Sequence, residues 1–310
     1  MKELKRIAFL GLGNMGEPMA NILLKAGYSV TIMPHRRMEP AQRLEAVGAA
    51  IASSKEELVE NADMMISMLP NLPEIREMLL GEFGIASMVK SPTILLNMST
   101  VSHSGIRTLA DELRTYDIRV LDAPVSGGPA RATDGTLTIM AGGEMDLFSE
   151  CEDVLHTLGK FVYYTGALGT GQVAKLCNNM MFAAITAITS EALTVGVKAG
   201  VDAETLRSII LQSTGGNYAL ENWLPKTVMQ NQYDPQFALK LMFKDLGLAR
   251  DLGKEEGVPL FMGNLAHELY SLFNNEEFRE KDLSVISTLY QNAAGINIAD
   301  GKPREKTEIK

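Results

Sequence analysis

The chain has 310 residues, of which 46% are hydrophobic and 22% charged, a globular balance with apolar material for about two domains. Its 38 acidic and 29 basic side chains leave a net charge of −9, which argues against nucleic acid or an anionic membrane as partner. Two cysteines, Cys151 and Cys177, are too few for a disulfide framework or a thiolate metal cluster.

The N-terminus, Met1 to Arg6, passes into a short apolar run with no secretory h-region or cleavage site, so a cytoplasmic protein is expected. That run, Arg6 to Leu10, is the first predicted buried strand. Further strands are predicted at Tyr28 to Met33, Met64 to Leu69, Thr93 to Met98, Arg119 to Ala123 and Leu137 to Ala141. Apolar runs without alternation imply strands covered on both faces, and intervening helical stretches imply βαβ units with a mainly parallel sheet. Residues 1–165 therefore read as a doubly wound nucleotide-binding domain.

After the glycine-containing loop Thr165 to Gly171 the pattern changes. Gln172 to Ala199 contains no proline and stops at Gly200, which predicts one long helix. Its uncharged apolar part, Leu176 to Ser190, is about 15 residues, short of the ~20 of a membrane span, so no membrane partner is expected. Helical patterns continue over Asp202 to Gln212, Phe237 to Glu256, Leu260 to Phe273 and Leu283 to Gln291. The fold class is thus α/β, an N-terminal Rossmann-type doubly wound sheet joined through a long helix to an all-α C-terminal domain over 166–296. The tail, 297–310, is expected to be disordered, because its charged stretch Asp300 to Lys306 shows no apolar face.

Gly11-Leu12-Gly13-Asn14-Met15-Gly16 lies between the first strand and a helix, the context that gives a GxGxxG pattern meaning. Its first glycine permits the turn, the second admits a pyrophosphate, and the third lets the helix pack on the sheet. A dinucleotide is the expected cofactor. Where an NAD site usually offers an acid, the second strand ends Pro34-His35-Arg36-Arg37, with no acid until Glu39. Arg36, with His35 beside it, suits a 2′-phosphate, so the reading leans to NADP and keeps NAD open.

Lys175 and Asn179, spaced i, i+4 near the start of the long helix, share one face, and Gly171 is expected to leave room there for a ligand. Burial or the helix dipole can lower a lysine's pKa in such a place, as general acid–base work near neutral pH requires. Solvated polar residues at a helix start make the same pattern. Cys177 and the Met180-Met181 pair read as packing, and His103 as a surface residue. His35, His103, His156 and His267 have no ligand spacing, so no metal is expected.

The glycine loop, Asp122-Ala123-Pro124-Val125-Ser126-Gly127-Gly128 and Gly171…Lys175…Asn178-Asn179 occur in the order of the β-hydroxyacid dehydrogenases, which the chain resembles from about Lys5 to Ile296. Met68-Leu69-Pro70-Asn71, Asn97-Met98-Ser99-Thr100, Gly135-Thr136-Leu137 and Lys244-Asp245-Leu246 are further pieces of that resemblance. It implies hydride transfer between NAD(P) and a small β-hydroxyacid or carboxylate-bearing semialdehyde of the 3-hydroxyisobutyrate, tartronate, succinic semialdehyde or glyoxylate class. Lys175 would exchange the hydroxyl proton, and Asn179 would orient that oxygen. Ser126 with the N–H groups of Gly127 and Gly128 would hold the substrate carboxylate, since such a turn converges several donors on an anion. Met68, Leu69, Pro70 and Thr100 would line the cofactor, Lys244 would close over cofactor and substrate, and Phe237 would shape the pocket. A homodimer or homotetramer is likewise implied.

The basic loop after Pro34 departs from relatives that place Asn-Arg-Thr or an acid there, which keeps cofactor choice open. Arg131 offers a charge for a second acidic group on a substrate, or simply a solvated one. Within the superfamily an imine-type reductase is the rival, although such enzymes typically replace the lysine. A non-catalytic dinucleotide-binding sensor or scaffold is the rival from another class. It would keep the glycine loop without needing Lys175, Asn179 and the Ser-Gly-Gly turn together.

Overall fold

The structure, a computed structural model, describes residues 5–35 and 37–303. Two compact units divide between Lys175 and Leu176. The division falls later than the change of pattern at residue 165, because the first turn of the long helix is hydrogen-bonded to the sheet through Asp122.

In the first unit, strands β1 (Arg6–Leu10), β2 (Ser29–Ile32), β3 (Ala50–Ile51), β4 (Met64–Ser67), β5 (Thr93–Asn97) and β6 (Ile118–Asp122) pair in parallel. Helices α1 (Gly16–Lys25), α2 (Glu39–Glu45), α3 (Lys55–Val59), α4 (Leu72–Leu80) and α5 (His103–Leu113) connect them. Beyond β6 come β7 (Val125–Ser126), α6 (Gly128–Asp134), β8 (Leu137–Gly142), α7 (Met145–Leu158) and β9 (Gly159–Gly166). The long helix α8 (Thr170–Lys198) follows and continues across the division. Among the described residues the strands form one sheet ordered β3-β2-β1-β4-β5-β6-β8-β7, with β9 also on β8.

Each predicted strand is present to within two residues. Three further strands were not expected: β3 and β7 are two-residue strands, and β9 is a largely solvent-facing strand without a continuous buried run. The parallel pattern also breaks at β8, which runs antiparallel to β6 and β7.

Successive residues of β1 enter opposite cores. Ile7 and Phe9 pack with Met19 and Leu23 of α1, whereas Ala8 and Leu10 pack with residues of α4 and α5. Met64 and Ile66 against Met65, and Ile94 and Leu96 against Leu95, repeat the division. This is why these strands read as unbroken apolar runs. Strand order reverses between β1 and β4, and the crevice beyond their carboxyl ends is where doubly wound sheets bind ligands.

The second unit is helical, with α9 (Ala203–Leu211), α10 (Leu239–Glu255), α11 (Phe261–Ser271) and α12 (Ser287–Ala294). Its cores gather around Tyr270 and Phe273, and around Leu220, Leu224 and Ile298. The helix expected from Leu283 opens instead as a tight 3-10 turn over Leu283–Ile286. Asp282 accepts hydrogen bonds from the Ser284 N–H (3.0 Å) and hydroxyl (2.7 Å) and sets that tighter start.

The expectation of a disordered tail is corrected for residues 297–303. Ile298 is fully buried and donates its N–H to Gln291 Oε1 at 2.9 Å, while Asn297 N–H bonds Lys302 O at 2.9 Å. Ile296 and Ile298 anchor this segment in the core despite the charges that follow Asp300. Residues 304–310 lie outside the described residues.

Helix α8 matches the one long helix expected over Gln172 to Ala199. By length and composition it could cross a membrane, with a mean hydropathy of 1.6 over its most apolar window, of which 44% is buried inside the chain. Thr186, Ser190 and Thr194 sit buried on it, each hydroxyl bonded at 2.8 Å to the carbonyl four residues back.

Candidate active site

The glycine loop leaves β1 at the point where strand order reverses. Met68 N–H donates to Leu10 O at 2.8 Å, so the segment after β4 is tied to the end of β1. Ser99 extends the tie to β5: its hydroxyl accepts the Leu69 N–H at 2.9 Å and reaches Ser67 O at 3.3 Å. Leu12, Met15, Met68, Leu69 and Thr100 are half-buried around this crevice, and Gly13, Asn14 and Pro70 are exposed. The expected cofactor residues of the loops after β1, β4 and β5 thus leave neighbouring strand ends. Ser99 was quoted in the sequence only as part of a motif, and its role as a tie between loops is a finding of the structure.

These residues fit a dinucleotide. No side chain caps the N-terminus of α1, and the helix dipole there favours an anion. A Cβ on Gly13 would meet nothing within 4 Å, so the loop keeps an open face where phosphate oxygens would approach. His35 and Arg37 are exposed after Pro34, and Arg36 lies outside the described residues.

The Ser126 turn likewise has an open backbone face. Gly127 (φ 135°) and Gly128 (φ 67°) both take backbone angles that side chains disfavour, and α6 begins there without a side-chain cap. Ser126 is held in register by pairing with Thr138 of β8. A Cβ on Gly128 would meet nothing within 4 Å, while one on Gly127 would strike Arg131 Cδ at 2.6 Å. The stem of Arg131, an exposed residue, therefore lies along this turn.

Lys175 is 8% exposed, on the second turn of α8, so the solvated reading of this lysine does not hold. The turn before it is anchored by Asp122, whose Oδ1 accepts the Gly169 N–H at 2.6 Å and whose Oδ2 accepts the Gln172 N–H at 2.9 Å. Burial pushes the Asp122 carboxyl up to about 7, against the opposing pull of those two N–H donors and of the nearby His103. Gln172 adds a second anchor. Its Oε1 accepts the Val101 N–H at 2.9 Å, and its Nε2 donates to Ser99 O at 3.1 Å.

In the second unit Asn179 is buried, and its Nδ2 donates to Asp245 Oδ2 at 2.6 Å. Asn178 Nδ2 donates to Asn179 Oδ1 at 3.0 Å, and Lys244 Nζ lies 3.1 Å from Asp245 Oδ1. Asn179 and Lys244 are thus joined through Asp245, which the sequence shows only as part of a motif. Phe237 is half-buried, and its N–H donates to the buried Asp282 Oδ2 at 3.2 Å.

Four readings are corrected. Gly171 leaves no room for a ligand, since its Cβ would lie 2.2 Å from Met140 O and 2.6 Å from Asp122 Oδ2; the strand occupies that space. Cys177 is exposed rather than core. Met180 packs as expected, but Met181 is 61% exposed, because α8 buries a different stripe. His103 is half-buried rather than superficial, with its Nδ1 buried beside Gly169.

Comparison with known proteins agrees with this geometry. Residues 6–166 match the family model described as the NAD binding domain of 6-phosphogluconate dehydrogenase. Residues 169–290 match that described as NAD-binding of NADP-dependent 3-hydroxyisobutyrate dehydrogenase. The NAD-dependent L-serine dehydrogenase of Pseudomonas aeruginosa is 38% identical, over 94% of this chain and 100% of that protein. The 2-(hydroxymethyl)glutarate dehydrogenase of Eubacterium barkeri is 35% identical, over 97% and 100%. Among solved structures, Mycobacterium tuberculosis 3-hydroxyisobutyrate dehydrogenase with L-serine aligns with a TM-score of 0.83 at 32% identity, over 92% of this chain and 99% of that one.

Proposed function

The chain belongs to the β-hydroxyacid dehydrogenase family and is an NAD(P)-dependent dehydrogenase of hydroxyl donors, and on that premise we propose that its substrate is a small 3-hydroxy acid. L-serine, 3-hydroxyisobutyrate and 2-(hydroxymethyl)glutarate, named for the relatives above, share a hydroxymethyl group on the carbon that bears the carboxylate. The observation that carries the reading is the Ser126-Gly127-Gly128 turn, two positive-φ glycines at an uncapped helix start with the Gly128 face open. It offers convergent N–H donors to a carboxylate that every such substrate carries.

The bound nicotinamide supplies the hydride chemistry. The protein's part is to hold the carboxylate at Ser126 and to take the hydroxyl proton onto Lys175 Nζ in oxidation, returning it in reduction. An asparagine amide has two N–H donors, and with one directed at Asp245, the other is proposed to hydrogen-bond the reacting oxygen at Asn179. Lys244 and Phe237 keep the substrate-side roles that the resemblance implies.

The test is turnover of the purified protein, followed by nicotinamide absorbance. The panel is the three hydroxy acids, and in reverse the succinic, tartronic and methylmalonic semialdehydes and glyoxylate. Turnover of a hydroxymethyl acid supports the reading. Cofactor bound without turnover of any of these compounds would reject it. The dicarboxylate belongs in the panel because the Arg131 stem lies along the carboxylate turn.

NADP is proposed over NAD on the strength of Arg36 and the lack of an acid before Glu39. NADPH is expected to give the higher kcat/KM, and Arg36→Ala to lower it about 10-fold for NADPH while sparing NADH. Equal losses with both cofactors would remove the 2′-phosphate assignment.

A homo-oligomer is proposed from α8. Cys177, Met181, Ile188 and Val195, at i, i+4, i+11 and i+18, form one solvent-facing stripe, in which Met181, Ile188 and Val195 are 61%, 57% and 66% exposed. Light scattering should show an oligomer that Ile188→Glu dissociates. A wild-type monomer at working concentration would end this proposal. That both Cys151 and Cys177 are free thiols supports a reducing, cytoplasmic setting.

A further inference from the structure

We propose that Asp122 is a positioning residue for the acid–base lysine: with Gln172 it clamps the first turn of α8 to the sheet and fixes where Lys175 presents its amine. The inference rests on the reading of Lys175 given above.

The clamp has two jaws. At the end of β6 the fully buried Asp122 takes the N–H groups of Gly169 and Gln172, one on each oxygen, at 2.6 and 2.9 Å. From the helix side, the fully buried Gln172 reaches back to the segment after β5, accepting from Val101 N–H at 2.9 Å and donating to Ser99 O at 3.1 Å. Ser99 is the residue that also ties down Leu69. One hydrogen-bonded chain therefore links the loops after β4 and β5 to the helix start.

There is little slack in the arrangement. Any side chain on Gly171 would collide with the Met140 carbonyl at 2.2 Å and with Asp122 itself at 2.6 Å. Lys175 follows Gln172 by three residues, a rise of about 4.5 Å, so tilt at the clamp is transmitted almost directly to the lysine. A buried carboxylate is also costly to keep: burial raises the Asp122 pKa, and His103, at the start of α5, is the titratable group that opposes the rise. Capping a helix alone is done as well by a half-buried serine or an exposed aspartate, as Ser102 and Asp202 do elsewhere in this chain. What the buried carboxylate adds is a fixed distance between sheet and helix.

The experiment uses Asp122→Asn and Gln172→Met in the full chain, each with and without Lys175→Met. Asparagine keeps the shape of Asp122 but turns one accepting oxygen into a donor facing a backbone N–H, which releases that anchor. Each single variant is expected to lower kcat about 30- to 100-fold, as small displacements of a reacting group do, with cofactor KM changed less than about twofold. The limb of the pH–rate profile that belongs to Lys175 should move in both. In the Lys175→Met background the same substitutions should change the residual rate by less than about twofold, because they act through the lysine.

Folded variants with wild-type kcat and pH profile would overturn the proposal. So would equal fold losses with and without Lys175, the signature of a merely structural role. If Asp122→Asn does not fold, Gln172→Met carries the same test from the other jaw. Undiminished kcat in Lys175→Met alone marks instead the failure of the lysine reading, whereas an inactive Lys175→Met with silent clamp variants refutes the clamp only.

Discussion

Lys175→Met is expected to lower kcat about 10²- to 10⁴-fold in both directions while leaving cofactor affinity within about threefold. Methionine keeps the length and apolar stem of lysine and removes the one atom that can carry the proton. At 8% exposure the side chain is not a solvated surface group, so the loss cannot be attributed to surface charge. Nor does the lysine serve the helix. A cation near a helix N-terminus gains nothing from the backbone dipole, which favours acids there. Steady-state rates and cofactor titration together check the expectation. A second arm uses Lys175→Ala with small primary amines in solution: activity should rise with amine concentration, because the amine replaces the missing base. A variant that retains kcat within about threefold would return the lysine to a structural role.

How much of this was legible in the sequence depended on what each residue answers to. The strands from β1 to β6 could be read because helices cover both faces, which leaves an unbroken apolar run such as Ile7-Ala8-Phe9-Leu10. Strand β9 could not, since most of it faces solvent and its residues need not be apolar. The glycine loop announced itself through backbone requirements that only glycine meets, and the Ser126 turn through the family resemblance. Asp122 and Gln172 gave no such signal. Their bonds join residues 47 to 73 positions apart, and nothing local distinguishes a clamp from any other aspartate or glutamine. Gly171 was read as space for a ligand when it is space for a strand, because a missing side chain does not say what fills its place. On α8, apolar nearly all round, spacing alone could not tell the buried stripe from the one carrying Cys177 and Ile188.

Gly16→Ala and Gly13→Ala separate the two demands that the glycine loop makes. At Gly16 a Cβ would sit 1.8 Å from the Gly11 carbonyl oxygen and 3.0 Å from Phe9 Cε1, so backbone rather than a movable side chain is in the way. Relief requires α1 to move off β1 by an ångström or more, and Met19 and Leu23 are buried in the core between them. The expected result is a loss of about 2 to 4 kcal/mol in stability, with cofactor affinity falling about 100-fold or more. At Gly13 the protein itself offers no obstacle, since a Cβ would meet nothing within 4 Å. Gly13→Ala should therefore unfold within about 0.5 kcal/mol of the wild type and still lose about 10- to 100-fold in affinity, because the new methyl occupies space kept for the pyrophosphate. Chemical denaturation and cofactor titration on the two variants provide the comparison. Undiminished affinity in Gly13→Ala would mean that the dinucleotide does not cross this loop. A Gly16→Ala variant as stable as the wild type would mean that the contact between α1 and β1 is looser than its 1.8 Å clearance requires.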